Sequence, residues 1–127
     1  MTGLTDTQAA ILAAGHVAAF NAAVHSNDFS LFLDRLADDA VLKFENVPGA
    51  GNLEFAGREA YTKAYAEQPP DDKIDIAGPV RGDGLTVVVP FTWKRDGSPG
   101  TMQLTYTDGP ADELDERCVT AMTVRFG

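Results

Sequence analysis

Between residues 6 and 25 the chain has no proline and much alanine, and Leu12, His16, Ala19, Phe20 and Ala23 recur at steps of three and four. That spacing predicts a first helix with one face turned to a core. Asn27-Asp28 ends it, and Asp28 is placed to cap a second, short helix with Phe29, Phe32, Leu33 and Leu36 as its apolar stripe. The period then changes to two. Over residues 40–47, Leu42, Phe44 and Asn46 fall on one side of a strand and Val41, Lys43 and Glu45 on the other, until Pro48-Gly49 stops the run. After Gly57, residues 58–67 return to a helical face of Ala60, Tyr61, Ala64 and Tyr65, which Pro69-Pro70 forbids from continuing.

The second half reads as β. Residues 73–77 alternate, Gly82-Asp83-Gly84 marks a turn, and Leu85, Val87, Val89, Phe91 and Trp93 share one face of a long strand. Asp96-Gly97 turns the chain, and residues 101–107 and 118–126 alternate again, which predicts three successive antiparallel strands. Between the last two, residues 108–116 hold five acids and no base, the composition of a solvated loop. Helices followed by a run of strands indicate an α+β fold: a curved antiparallel or mixed sheet with about three helices packed on its concave face. On the opposite face Thr86, Val88, Pro90, Thr92, Gln103, Thr105, Val119, Ala121 and Thr123 would point outward, and none is charged. So neutral a surface predicts cover by a second copy of the chain in a two-fold homodimer.

A length of 127 residues fits one domain spanning 1–127, and 44% hydrophobic with 23% charged residues excludes a disordered or fibrous chain. The net charge of −9, with no basic run to offset it, argues against nucleic acid and anionic membrane as partners. Cys118 is the only cysteine, no positive charge precedes an apolar segment at the N-terminus, and no apolar stretch approaches the roughly 20 residues of a membrane span. These features predict a cytoplasmic, unanchored protein. No phosphate-cradling loop, nucleophile elbow or cysteine pair is present, and the two histidines lack carboxylates at ligand spacing, so no cofactor and no metal are expected.

Three strings carry a resemblance: Leu36-Ala37-Asp38-Asp39-Ala40-Val41-Leu42, then Gly57-Arg58-Glu59-Ala60, then a terminal strand ending Arg125-Phe126-Gly127. With the order of elements, they make essentially the whole chain similar to the SnoaL-like, nuclear transport factor 2-like superfamily, which includes ketosteroid isomerase, limonene epoxide hydrolase and polyketide cyclases. The resemblance implies a cone whose open end holds a small ligand, and pairing through the sheet. It does not carry the family's chemistry across. The isomerase needs a carboxylate base, a tyrosine and a protonated acid. The matching positions here resemble Phe44, His16 and Met102, and Glu45 faces the other side of its strand. The hydrolase segment is similar at Phe44-Glu45-Asn46-Val47-Pro48, yet its tyrosine is replaced by Phe44 and its acidic set falls among Val87, Val89, Phe91 and Val124, leaving Asn46 alone.

His16 is then the candidate catalytic residue: an imidazole on the inward helical face, half-desolvated and able to act as acid or base near neutral pH, or else a core histidine bonded to a neighbour. Phe20, Phe44, Asn46, Tyr61, Tyr65, Phe91, Trp93, Met102, Tyr106 and Met122 are the candidate ligand-binding residues, mostly apolar with a few polar tips, for a small apolar or aromatic molecule. His25 reads as a helix C-terminal surface residue and Cys118 as an inert thiol. Glu54, Arg58 and Glu59 form a surface cluster, and residues 48–51 a flap over the cone mouth. Two functions follow from this pattern. One is a small-molecule-binding protein with isomerase- or cyclase-type acid-base chemistry through His16; the other is a non-catalytic dimeric interaction protein whose cone is filled by its own side chains.

Overall fold

A computed structural model describes residues 3–109, 114 and 117–126. The first helix, α1 (Asp6–Ser26), starts with a capping box in which Thr5 and Gln8 satisfy each other's backbone N–H groups, and ends at Asn27 in the left-handed conformation. Its buried face is Ala9, Leu12, Ala13, His16, Val17, Phe20 and Ala23. By length and composition α1 could cross a bilayer, with a mean hydropathy of 1.3 over 18 residues, which corrects the expectation of no such stretch. In this fold its apolar face is spent on the sheet.

Helix α2 (Ser30–Leu33) is one turn whose N-cap is Phe29 with no side-chain cap bond; Asp28, expected to cap it, stands one residue earlier and accepts the Ser30 backbone N–H at 3.0 Å. Leu36 does not belong to that helix. It opens β1 (Leu36–Val47), which is four residues longer than the alternation indicated because Leu36 pairs with Val119 across the sheet. Residues 48–51 are not a flap but the tight turn into a second strand, β2 (Gly51–Ala56), with Ala50 donating to the Val47 carbonyl at 3.0 Å. This largely exposed edge strand is not among the expected elements, although Leu53 and Phe55 alternate with Asn52 and Glu54. Helix α3 (Arg58–Glu67) turns Tyr61 inward and leaves Ala60 exposed, contrary to expectation.

Four further strands are β3 (Ile74–Ile76), β5 (Thr86–Trp93), β6 (Pro99–Tyr106) and β7 (Val119–Phe126), with β4 (Arg81–Asp83) paired to the start of β5. Asp83 and Gly82 therefore lie in a strand, and the turn falls at Gly84-Leu85. Among the described residues the sheet order is β2-β1-β7-β6-β5-β3, antiparallel except for the parallel β1–β7 pair; the sheet is curved and not closed. The acidic segment at residues 108–116 lies mostly outside the described residues.

Register builds the interior in rungs. Val87, Leu104, Met122 and Leu42 are cross-strand neighbours, then Val89, Met102, Val124 and Phe44, then Phe91, Gly100 and Phe126. Val87, Leu104 and Leu42 of the first rung, with Tyr106 and Val119 beyond it, belong with Leu12 and Leu36 to the buried core and form its filled end. A register shift between Thr105 and Tyr106 leaves Thr120 unmatched, so Val119 turns inward and is wholly buried instead of facing out.

Candidate ligand cavity

Beyond the filled rungs the core opens. A cavity of about 190 Å³ lies between α1, α2 and α3 on one side and β1 and β5–β7 on the other. Its sheet wall is made by Phe44, Met102, Met122, Val124 and Phe91, and its helical wall by His16, Phe20, Phe32 and Tyr65. At the rim Trp93 and Phe126 stack, with ring centroids 5.6 Å apart and planes 15° apart, while Pro70 and Ile74 complete the edge. The rim is tied to the helix by Asn21, whose side chain donates to the Ile74 carbonyl at 2.8 Å and accepts its N–H at 2.9 Å.

Gly100 lets the Phe91 ring pack against the sheet at this level. It sits in the rung between Phe91 and Phe126, where that ring takes the place of a side chain. A Cβ there would stand 2.5 Å from Phe91 Cζ and 2.9 Å from the Arg125 carbonyl oxygen, so the Phe91 ring lies directly over the glycine.

The structure brings eight of the proposed residues to the cavity: His16, Phe20, Phe44, Tyr65, Phe91, Trp93, Met102 and Met122. Three others lie elsewhere. Asn46 is exposed at the bulge of β1, with a left-handed φ of 58° and its N–H donated to Asn52 Oδ1. The irregular register between Phe44 and Val47 takes it off the inward face. Tyr61 is fully buried, stacked with Phe44, and its hydroxyl is hydrogen-bonded to that of Tyr65. Burial raises the pKa of both phenols. Tyr106 is in the filled end, its hydroxyl directed to the Leu12 carbonyl at 3.5 Å and its pKa pushed up to about 12 by burial.

Phe32, Pro70, Ile74, Val124 and Phe126 line the cavity without having been singled out. The last two continue the Met122 alternation and were legible there; Pro70 and Ile74 arrive from a loop and a short strand whose position only the tertiary fold sets.

His16 differs from expectation in its electrostatics. It is 1% exposed, not half-desolvated, its ring lies 5.1 Å from that of Phe32, and Nδ1 has no hydrogen-bond partner among the described residues. Burial, reinforced by the nearby Arg35 guanidinium, lowers its pKa from 6.5 to about 3. The ring is therefore neutral at physiological pH. It can exchange a hydrogen bond, but it has no imidazolium proton to deliver as a general acid near pH 7.

The remaining expectations concern the surface. Arg58 pairs with Asp38 at 2.8 Å and donates to the Leu36 carbonyl, whereas Glu54 faces Lys43 at 3.8 Å, so Glu54, Arg58 and Glu59 do not act as one cluster. These exposed pairs contribute little. A larger groove of about 560 Å³ between α2 and α3 is open to solvent and lined by Asp28, Ser30, Asp34 and Arg58. Phe29, Leu33 and Tyr65 also line it. His25 is exposed in the last turn of α1, and Cys118 is half-buried.

No curated protein matches this sequence. Solved structures share the fold: a SnoaL-like family protein from Agrobacterium tumefaciens, provisionally named an isomerase, has 15% identity and a TM-score of 0.66, with 95% of this chain and 98% of that one covered. A nuclear transport factor 2-like protein of unknown function from Mesorhizobium loti has 16% identity and a TM-score of 0.62, covering 96% and 93%. A protein from Kribbella flavida, provisionally named a ketosteroid isomerase, has 18% identity and a TM-score of 0.57, covering 97% and 81%. At such identities the likeness speaks for the fold alone. The family model for the SnoaL-like domain matches residues 17–127, and with the cone and its register in place the chain belongs to the SnoaL-like domain family.

Proposed function

We propose that this protein binds a small, neutral, apolar or aromatic molecule in the open end of its cone. The observation that carries this reading is the partly open cavity of about 190 Å³ with aromatic and methionine walls and His16 at its side. Engineered apolar cavities of about 150 Å³ hold benzene, whereas drug-sized ligands occupy about 300 Å³ or more, so the occupant has one or two rings. Charge is excluded on physical grounds: the cavity offers a neutral histidine and no ionised group to meet an ion. His16 then serves as a binding contact, and any acid-base chemistry would have to come from the ligand's own acidity or from solvent.

Support for this reading over a self-filled cone comes from the volume left between Phe44, Phe91 and Met102 on the sheet and Phe20 and Phe32 on the helices. The two provisional isomerases of similar fold are compatible with it. Naphthalene should raise the melting temperature and displace a hydrophobic dye, 1-naphthoate should do neither, and His16→Ala should change the affinity. Flat melting curves across neutral one- and two-ring aromatics would refute the proposal.

The same reading includes a homodimer formed through the outer sheet face, in a cytoplasmic setting. Thr86, Val88, Thr105, Ala121 and Thr123 form a partly exposed uncharged patch, bracketed by Lys43, Glu45 and Arg125 on one side and Arg81 and Asp83 on the other. Charges of both signs at the rim suit a self-complementary contact. A free, half-buried Cys118 suits a reducing compartment.

A further inference from the structure

The cone does not end at its rim. A solvent-open groove of about 440 Å³ adjoins the cavity and shares Trp93 and Phe126 with it. The strands show that cavity and groove are consecutive. β1 passes from Phe44 on the cavity wall to Asn46 in the groove, β5 from Phe91 to the shared Trp93, and β7 from Val124 to the shared Phe126, while β6 enters from Pro99 in the groove and reaches the cavity at Met102. The segment leading into β3 behaves likewise, with Pro70 and Ile74 on the rim and Asp72, between them in sequence, in the groove. Four strands thus leave the open end of the cone together, and the groove is what their ends line.

The groove is polar where the cavity is not. It carries Asp72, Arg95, Asp96 and Asn46, and much of their bonding capacity is unspent among the described residues. Arg95 engages Asp71 through Nη2 alone, at 3.1 Å to the carbonyl and 3.4 Å to the carboxylate. Asp96 accepts both the N–H and the hydroxyl of Ser98 on Oδ1, which leaves Oδ2 to solvent. Asn46 is exposed, and only its backbone N–H is engaged, by Asn52. Donors and acceptors therefore stand side by side, which suits a group that both gives and accepts a hydrogen bond, the hydroxyl. An anionic tail would face Asp72 and Asp96 in a chain of net charge −9, and an ammonium tail would face the Arg95 guanidinium. Pro48, Pro99 and Trp93 add apolar surface to the groove, where the C–H face of a sugar ring can lie.

We propose that cone and groove form one bipartite site for a neutral amphiphile: a one- or two-ring apolar body in the cone bearing a polyhydroxylated tail, as in an aryl glycoside, that hydrogen-bonds to Asn46, Arg95 and Asp96. This rests on the binding function proposed above and adds a second subsite to it. The charge-free body stays in the apolar cavity, and every polar atom of the tail stays in the groove at the solvent edge. Asn46, which the bulge of β1 takes off the cavity wall, is then a contact for the tail.

The test titrates the full chain with naphthyl methyl ether and naphthyl glucoside, which share the ring and the ether oxygen and differ in the sugar. The glucoside should bind about tenfold more tightly, as expected for two or three added hydrogen bonds at a solvent edge. Asn46→Gly removes the carboxamide and tolerates the left-handed φ of 58°, and it should lower the preference for the glucoside several-fold, as should Arg95→Gln. The preference itself is read on the unmodified protein, so the proposal stays testable even if a variant folds poorly. Equal or weaker binding of the glucoside would overturn the groove subsite and leave binding in the cone standing. So would a preference that both variants leave intact, or naphthyl sulfate or naphthylmethylamine binding as tightly as the glucoside. Failure of the ether and the glucoside alike to bind would remove the binding function and this inference together.

Discussion

Replacing His16 by leucine should uncouple the stability of this protein from pH between 7 and 5. The imidazole has an ordinary pKa of 6.5 when the chain is unfolded and is held at about 3 in the fold, by burial first and by Arg35 second. Between those values the unfolded chain takes up a proton that the native one refuses, so folding stability falls as pH drops below about 6.5 and goes on falling towards pH 3. At pH 5, about 1.5 units below the unfolded value, a slope of about 1.4 kcal/mol per unit gives a loss of about 2 kcal/mol attributable to this one residue. His16 is 1% exposed, so solvent screening removes little of that figure. The measurement is urea unfolding of the wild type and His16→Leu at both pH values. His25 and every carboxylate are common to the two proteins, so their contributions cancel in the difference. The wild type should lose about 2 kcal/mol more than the variant on going from pH 7 to pH 5. At pH 7 the variant should match or exceed the wild type, because it deletes a buried atom without a partner. Parallel declines would show that the imidazole is hydrated in the native state and would undo the reasoning that makes it a neutral binding contact.

Two other perturbations follow from the geometry. Gly100→Ala places a methyl group 2.5 Å from Phe91 Cζ, and the displaced ring and strand should cost about 1–3 kcal/mol in urea unfolding while weakening naphthalene binding; unchanged stability would mean that Phe91 does not lie over the glycine. Val88→Lys puts a charge at the centre of the uncharged sheet face and should shift the chain from dimer to monomer in sedimentation; a wild type that is already monomeric, or a variant that still dimerises, would rule out pairing through that face.

Periodicity determined the element types, because burial of one face forces a repeat of about 3.6 in a helix and 2 in a strand wherever the face is continuous. Thus α1, α3, β5 and the inward series Met102, Leu104, Tyr106 were legible, and with them most of the cavity wall. Short edge strands were not. β2 and β4 bury little, so no face selects their pattern; their pairing to β1 and β5 is what makes them strands. Bulges escaped for a related reason, since one extra residue reverses inside and outside without altering composition, as at Val119 and Asn46. Arg125 likewise continues the outward series of Thr123 and Ala121, so charge enters a face that otherwise reads as neutral.

The sequence by itself determined that this chain is an α+β protein with an aromatic and methionine interior and a histidine on its first helix. The tertiary structure alone decided that the interior is filled at one end and open at the other, and that His16 is too deeply buried to titrate near neutrality. Each depends on how residues distant in the chain meet: Phe91 over Gly100, Arg35 beside His16, Phe126 against Trp93. Local periodicity records which side of an element is buried, whereas packing across the cone sets what the buried groups touch and which of them remain free to bind.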